Sequence, residues 1–202
     1  MKFINKYETS NFNERKFSKI DLIIIHYTAL KNIEEAIKFL TTTENKVSSH
    51  YVISNSGDIY SLVKDEKRAW HAGLSYWKNN TDINSRSIGI ELDYSKLNSN
   101  NKFTKKMLQS LSLLLKFLIN KYNINYKNVL AHSDISPFRK QDPGSSFPWN
   151  YFYSKRLAYK PNIKVKYDLK KLEIWFEKNG FTTKKQISLF ILNYIGYDIR
   201  EV

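Results

Sequence analysis

The sequence predicts an α/β fold: a mixed β-sheet with helices packed on it, followed by a small all-α segment at the C-terminus. Three observations carry this. "KIDLIIIHY" (19–27) and "RSIGIELDY" (86–94) are near-continuous apolar runs, the pattern of strands covered on both faces. "FTKKMLQSLSLLLKFLINKYN" (103–123) places its apolar residues at helical spacing. Strand and helix signals also interleave along the chain, which sets helices against a sheet.

Taken in order, the first strand run ends in His26. "NIEEAIKFL" then aligns Ile33, Ala36, Ile37 and Leu40 on one helical face, with Asn32 and Glu35 at capping-box spacing. "SSHYVISNSGDIYSLV" (48–63) predicts a hairpin about a Ser-Gly-Asp turn. The run over 86–94 is a second buried strand and carries Glu91 inside it. Thr104 caps the long helix, and Met107, Leu108, Leu111, Leu114, Leu115 and Leu118 form its stripe. "KNVLAH" (127–132) is a further strand ending in His132. After Trp149 the pattern changes. "YFYSKRLAYKPNIKVKYD" has no clear period and is expected to be a connector. "LKKLEIWFEKNG" and "TTKKQISLFILNYIG" predict two short amphipathic helices, stopped at Gly180 and Gly196. The expected organisation is a domain over 1–150, then a connector and small helical module over 151–202.

Composition narrows the function. Hydrophobic residues at 42% and aromatics at 15% supply a packed core and argue against wholesale disorder. There is no Cys, which excludes a thiolate nucleophile, a disulfide and Cys-ligated zinc; any metal falls to His and carboxylates. The net charge of +14 suits nucleic acid, an anionic membrane or an acidic polymer. The basic residues are scattered rather than clustered, so no nucleic-acid partner is expected. No apolar stretch reaches membrane-span length, and the N-terminus has no apolar signal core.

The loop "AHSDISPFRKQDPG" (131–144) concentrates ionisable and rigid residues just after a buried strand. The chain has 4 His, and His26 and His132 each end a strand, where side chains from distant positions converge on ligands. With an Asp from the loop they make an open zinc site, three protein ligands leaving a position for water. Spacing alone leaves Asp134 and Asp142 as alternatives for the third ligand. Glu91 belongs at a strand end or in a cleft, because a buried unpaired carboxylate is costly or protonates.

"IIIHYTA", "VSSHYVISNSGDIYSLV", "WHAG", "NSRSIGIELDY" and "VLAHSDISPFRKQDPG" together resemble, in order, the motif set of zinc-dependent N-acetylmuramoyl-L-alanine amidases of the AmpD type. The resemblance spans roughly residues 20 to 150. It implies one zinc ion per chain on His26, His132 and Asp142, a catalytic pair of Glu91 and Lys140, and a structural role for Asp134. Asp142 stands where phage lysozyme-type amidases often carry Cys, and with Glu91 it fits the AmpD-like branch. His50 and His71 fall in family motifs without being family ligands, and line or buttress the cleft. Asn84 opens another motif and is placed with them on the substrate side. Trp70 is expected to stack on sugar or peptide, and Arg139 to pair with a peptide carboxylate. The C-terminal segment resembles, more weakly, the helical peptidoglycan-binding module of envelope amidases. Its stripe of Leu172, Trp175, Phe176, Ile187, Phe190 and Ile191 reads as core.

The reaction this implies is hydrolysis of the amide between N-acetylmuramic acid and L-alanine in peptidoglycan or its fragments. Glu91 takes the water proton and passes it to the leaving amine. Zinc and Lys140 stabilise the oxyanion. Lys140 and Asp142 lie two apart, so an extended segment projects them to one side. The expected compartment is the cell envelope, with the cytoplasm as alternative. A non-catalytic peptidoglycan-binding protein is the competing function, and loss of a zinc ligand would mark it.

Overall fold

A computed structural model of the chain describes residues 2–95 and 102–158, together with residues 174, 177, 178, 180, 183, 186, 189 and 192. The strands are β1 (Phe3–Ile4), β2 (Phe12–Glu14), β3 (Leu22–Tyr27), β4 (Tyr51–Ile53), β5 (Ile59–Ser61), β6 (Lys67–Ala69), β7 (Ser87–Leu92) and β8 (Val129–Ala131). The helices are α1 (Ile33–Thr41), α2 (Ile83–Arg86), α3 (Lys105–Tyr122), α4 (His132–Ile135) and α5 (Trp149–Tyr153). Six strands form one sheet in the order β1-β5-β4-β7-β3-β8, and β2 pairs with β6 beside it. The sheet is mixed: β3 runs parallel to β7 and β8, whereas β4 and β5 form the antiparallel hairpin.

The caps form as the sequence suggests. Asn32 accepts from the Glu35 N–H at the start of α1, and Thr104 accepts from the Met107 N–H at the start of α3. The central strands are covered on both faces, which is why they read as unbroken apolar runs. On one face Ile23, Ile25, Ile88 and Ile90 pack under Met107, Leu111, Leu114 and Leu118 of α3. On the other, Leu22, Ile24 and Leu130 meet Ala72, Trp77 and Ile83, while Val52 meets Ile37 and Leu40 of α1. Between those two patches the second face carries polar residues, and the site lies there.

The edge and connecting elements β1, β2, β6, α2, α4 and α5 span only 2 to 5 residues, too short for a periodic signature. The packed core also runs past residue 150. Phe152, Leu157 and Ala158 are buried in the same cluster as Phe147, so the start of the expected connector belongs to the sheet's α3 side. The stripe expected from Leu172 to Ile191 lies outside the described residues. No helix among the described residues is long and apolar enough to cross a membrane.

Candidate active site

Register builds the site. In the parallel β3–β7 pair His26 stands opposite Glu91. In the β3–β8 pair Ile25 stands opposite Ala131, which puts His132 one residue further along, level with His26. Residues paired across parallel strands share a face, so β7, β3 and β8 carry Glu91, His26 and His132 to the same end of the sheet. The loop after α4 then folds back: the Ser133 N–H donates to the Asp142 carbonyl at 3.0 Å. Asp134 is otherwise engaged. Its Oδ2 accepts from the Ala131 N–H at 2.8 Å, a helix-start contact within the short α4. The fold thus brings Asp142, and not Asp134, into the group with the two histidines.

Asp142 Oδ2 lies 3.0 Å from His26 Nδ1 and 2.9 Å from His132 Nδ1, and the two Nδ1 atoms are 2.9 Å apart. These three residues are buried and form a group able to hold a metal ion. The donor chemistry fits a cation. His132 Nε2 sits 3.1 Å from the Ala72 carbonyl oxygen, which only accepts, so Nε2 carries the ring proton. Nδ1 is then the nitrogen turned toward the carboxylate oxygen of Asp142, at 2.9 Å. Two imidazoles and one carboxylate converging from three separate stretches of chain are a zinc-type ligand set.

Glu91 Oε2 is shielded from solvent and has no hydrogen-bond partner among the described residues. Its carboxyl is pushed up to about 8, first by burial and then by the negative charge of Asp142, against which the Lys140 ammonium pulls. His26 is pushed down to about 4 by burial and by the neighbouring His132, so its ring is neutral and available as a ligand. His26, Glu91, His132, Lys140 and Asp142 all open onto one cleft of roughly 450 Å³. Leu30, Phe39, Val47 and Trp70 form its apolar flank.

The other residues singled out in the sequence separate into two groups. Trp70, His71 and Arg139 line the cleft. Trp70 is steadied by its Nε1–H donating to Asn13 Oδ1 at 2.6 Å. Arg139 Nη2 donates to the Ala72 and Leu74 carbonyls at 2.8 and 2.9 Å, so it also ties the 72–74 loop to the 136–142 loop. His71 stands behind His26, its Nδ1 3.0 Å from His26 Nε2. His50 and Asn84 are buried away from the cleft. His50 Nδ1 accepts from the Gly89 N–H at 3.0 Å, and Nε2 meets the Lys67 carbonyl at 3.0 Å. Asn84 Oδ1 accepts from the His71 and Ala72 N–H groups at 3.1 and 2.8 Å. Both are hydrogen-bonded within the frame, and neither is among the residues that line the cleft.

Three residues were not anticipated. Arg15 lies in an aperiodic N-terminal segment, yet its guanidinium donates to the carbonyls of Asp65, Asn84, Ser85 and Ser87 at 2.9 to 3.0 Å. Ser87 and Gly89 sit beneath His71. The glycine inside an apolar strand was a visible sign of close approach; nothing local distinguishes Arg15 or Ser87.

A mixed sheet that gathers two histidines, an aspartate and a shielded glutamate at its strand ends defines an α/β protein with a candidate metal centre. The sequence profile of the N-acetylmuramoyl-L-alanine amidase family matches residues 16–145, and the chain belongs to that family. Over 168 residues it is 33% identical to N-acetylmuramoyl-L-alanine amidase AmiD of Escherichia coli, covering 77% of this chain and 60% of AmiD. Over 107 residues it is 39% identical to the 1,6-anhydro-N-acetylmuramyl-L-alanine amidase AmpD of the same organism, covering 53% and 57% of the two chains. The chain therefore spans about three fifths of the length of these relatives. Among solved structures it is similar to E. coli AmiD in complex with anhydro-N-acetylmuramic acid-L-Ala-D-γ-Glu-L-Lys, with a TM-score of 0.74, 30% identity, and coverage of 94% of this chain and 77% of that one. It is also similar to AmpDh3 of Pseudomonas aeruginosa in complex with anhydromuramic pentapeptide, with a TM-score of 0.73, 28% identity, and coverage of 94% and 79%.

Proposed function

We propose that this chain is a zinc-dependent hydrolase that cleaves the amide between N-acetylmuramic acid and L-alanine in peptidoglycan or its fragments. The observation that carries the reading is the shielded, unpartnered Glu91 Oε2 placed in register with His26 beside a three-donor metal group. A buried acidic group without a partner costs stability, and its place in the cleft marks it as a functional group.

His26, His132 and Asp142 would hold the ion. Bound zinc supplies Lewis acidity and a water acidified toward roughly neutral pH. With the charge of such an ion favouring its ionised form, Glu91 would accept a proton from the attacking water at Oε2 as the water oxygen adds to the amide carbonyl carbon. It returns the proton to the nitrogen as the C–N bond breaks, leaving a carboxylic acid and an amine. Lys140, whose positive charge bears on both His26 and Glu91, faces the charge that develops on the carbonyl oxygen. The apolar flank of Leu30, Phe39 and Trp70 receives the sugar and the peptide backbone, excluding water from the reacting bond. Arg139 pairs with a stem-peptide carboxylate through guanidinium hydrogens not committed to carbonyls.

The reading for the compartment is the cell envelope, where the charge of +14 meets an acidic wall polymer. Preference for soluble fragments over intact wall would favour the cytoplasm instead. The test is incubation of the zinc-loaded protein with intact sacculi and with anhydro-muropeptide, read by mass spectrometry. Release of free stem peptides with an L-alanine N-terminus is the expected result. Intact substrate in both arms would overturn the activity and leave a peptidoglycan-binding protein.

A further inference from the structure

His132 takes its tautomer from a backbone carbonyl. His26 has no such partner: its Nε2 faces a second imidazole, His71 Nδ1, at 3.0 Å. Either ring can donate in such a pair, so the pair alone leaves His26 with two tautomers. The choice is made one residue further away. The Ser87 hydroxyl donates to the Ile83 carbonyl at 2.7 Å, a group with no proton to give back. Its oxygen must therefore accept from His71 Nε2–H, 3.1 Å away. That leaves the His71 Nδ1 lone pair to accept from His26 Nε2–H. His26 Nδ1 is then bare, directed at Asp142 Oδ2 and His132 Nδ1.

We propose that His71, fixed by Ser87 and seated on Gly89, is a positioning residue that sets the tautomer and ring orientation of His26 in the metal centre. The proposal rests on the reading of His26, His132 and Asp142 as metal ligands. Ser87, Gly89 and Glu91 alternate along β7 and so share its cleft face. The His71 ring lies against the backbone there. A Cβ on Gly89 would fall 2.4 Å from His71 Cγ, 2.6 Å from Cδ2 and 2.7 Å from Nδ1, closer than any side chain permits. The ring meets His26 nearly edge-on, at 78° and 5.1 Å between centroids. The Asn84 amide oxygen holds the His71 backbone N–H at 3.1 Å. A histidine clamped on four sides transmits the state of one hydroxyl to a ligand nitrogen it never touches.

Outer partners of metal-binding histidines are typically worth about 10–100-fold in metal affinity. Zinc affinity by chelator competition would be compared for wild type, His71→Phe, His71→Asn, Ser87→Ala and Gly89→Ala. His71→Phe keeps the ring and loses the acceptor; a loss of about 10–100-fold is expected. His71→Asn places Oδ1 where Nδ1 stood and is expected to recover most of it. Ser87→Ala and Gly89→Ala should weaken binding without abolishing it. Nitrogen-15 NMR of the metal-free wild type, which needs no variant to fold, should show His26 protonated on Nε2. Wild-type affinity in His71→Phe, equal losses in His71→Phe and His71→Asn, or a His26 Nε2 that carries no proton would each overturn the relay. Failure of the wild type to bind zinc would overturn the metal reading itself, whatever the NMR shows of the tautomer.

Discussion

His26 and Glu91 are register partners on adjacent parallel strands, side by side on one face at the same end of the sheet. His26 turns Nδ1 toward Asp142 Oδ2 at 3.0 Å, and Glu91 keeps a carboxyl oxygen without a hydrogen-bond partner among the described residues. Because backbone pairing sets their separation, neither depends on a flexible loop for its placement.

Glu91→Gln preserves shape and removes proton transfer. Hydrolysis should fall by about 10²–10⁴-fold while zinc content stays at the wild-type level. Turnover of a muropeptide and metal analysis on the same preparation check this, and near-normal turnover would remove Glu91 from the mechanism.

The same residue makes the metal-free protein sensitive to pH. Its carboxyl rises from an ordinary 4.5 to about 8 in the folded state. Between those values the folded chain holds a proton that the unfolded chain has released. Its contribution to stability is full below about pH 4.5 and is lost as pH rises through about 8. Glu91→Gln cannot ionise and escapes that loss. The melting temperature of the variant minus that of wild type should therefore grow by a few degrees between about pH 5 and 9. A difference independent of pH would contradict a buried, unpaired carboxyl.

His132→Ala should abolish stoichiometric zinc binding, since it leaves two protein donors of the group. In the wild type, zinc at about 100 times its dissociation constant should add roughly 2.7 kcal/mol of stability. Thermal unfolding with and without zinc, run on both proteins, tests the pair of statements; an equal zinc-induced shift in both would displace His132 from the centre.

Lys140 stands on the cleft beside Asp142. Lys140→Ala should lower kcat by about 10²–10³-fold with zinc content unchanged, the usual loss for one oxyanion donor. Lys140→Arg should recover only part, because a planar fork replaces a compact charge. Were the side chain merely solvated, both variants would turn over normally.

Arg15 holds four backbone carbonyls from two separate stretches of chain, Asp65 and the segment 84–87. Arg15→Met keeps apolar bulk and leaves those acceptors unmet. The expected cost is about 3 kcal/mol or more, seen as a drop in melting temperature with zinc stoichiometry retained in the folded protein. A change within about 0.5 kcal/mol would mean that water replaces the guanidinium.

The sequence by itself determined the sheet and its covering helices. The unbroken runs around Ile24 and Ile90 record burial on both faces, and the stripe from Met107 to Leu118 records a helix with one buried side. Those patterns are local, and they follow from the period of each element. His26, His132 and Glu91 were also legible as strand-end chemistry, whereas Asp142 over Asp134 and the role of Lys140 came from resemblance to a family rather than from spacing. Tertiary structure decided what no local pattern encodes. It committed Asp134 to the Ala131 N–H, withdrew His50 and Asn84 into the frame, and set His71 on Gly89 behind His26. It also drew Arg15 across to carbonyls up to 72 positions away. Such assignments depend on which donor meets which acceptor once distant segments are brought together, and a hydrogen bond between strangers in the chain leaves no period in the sequence.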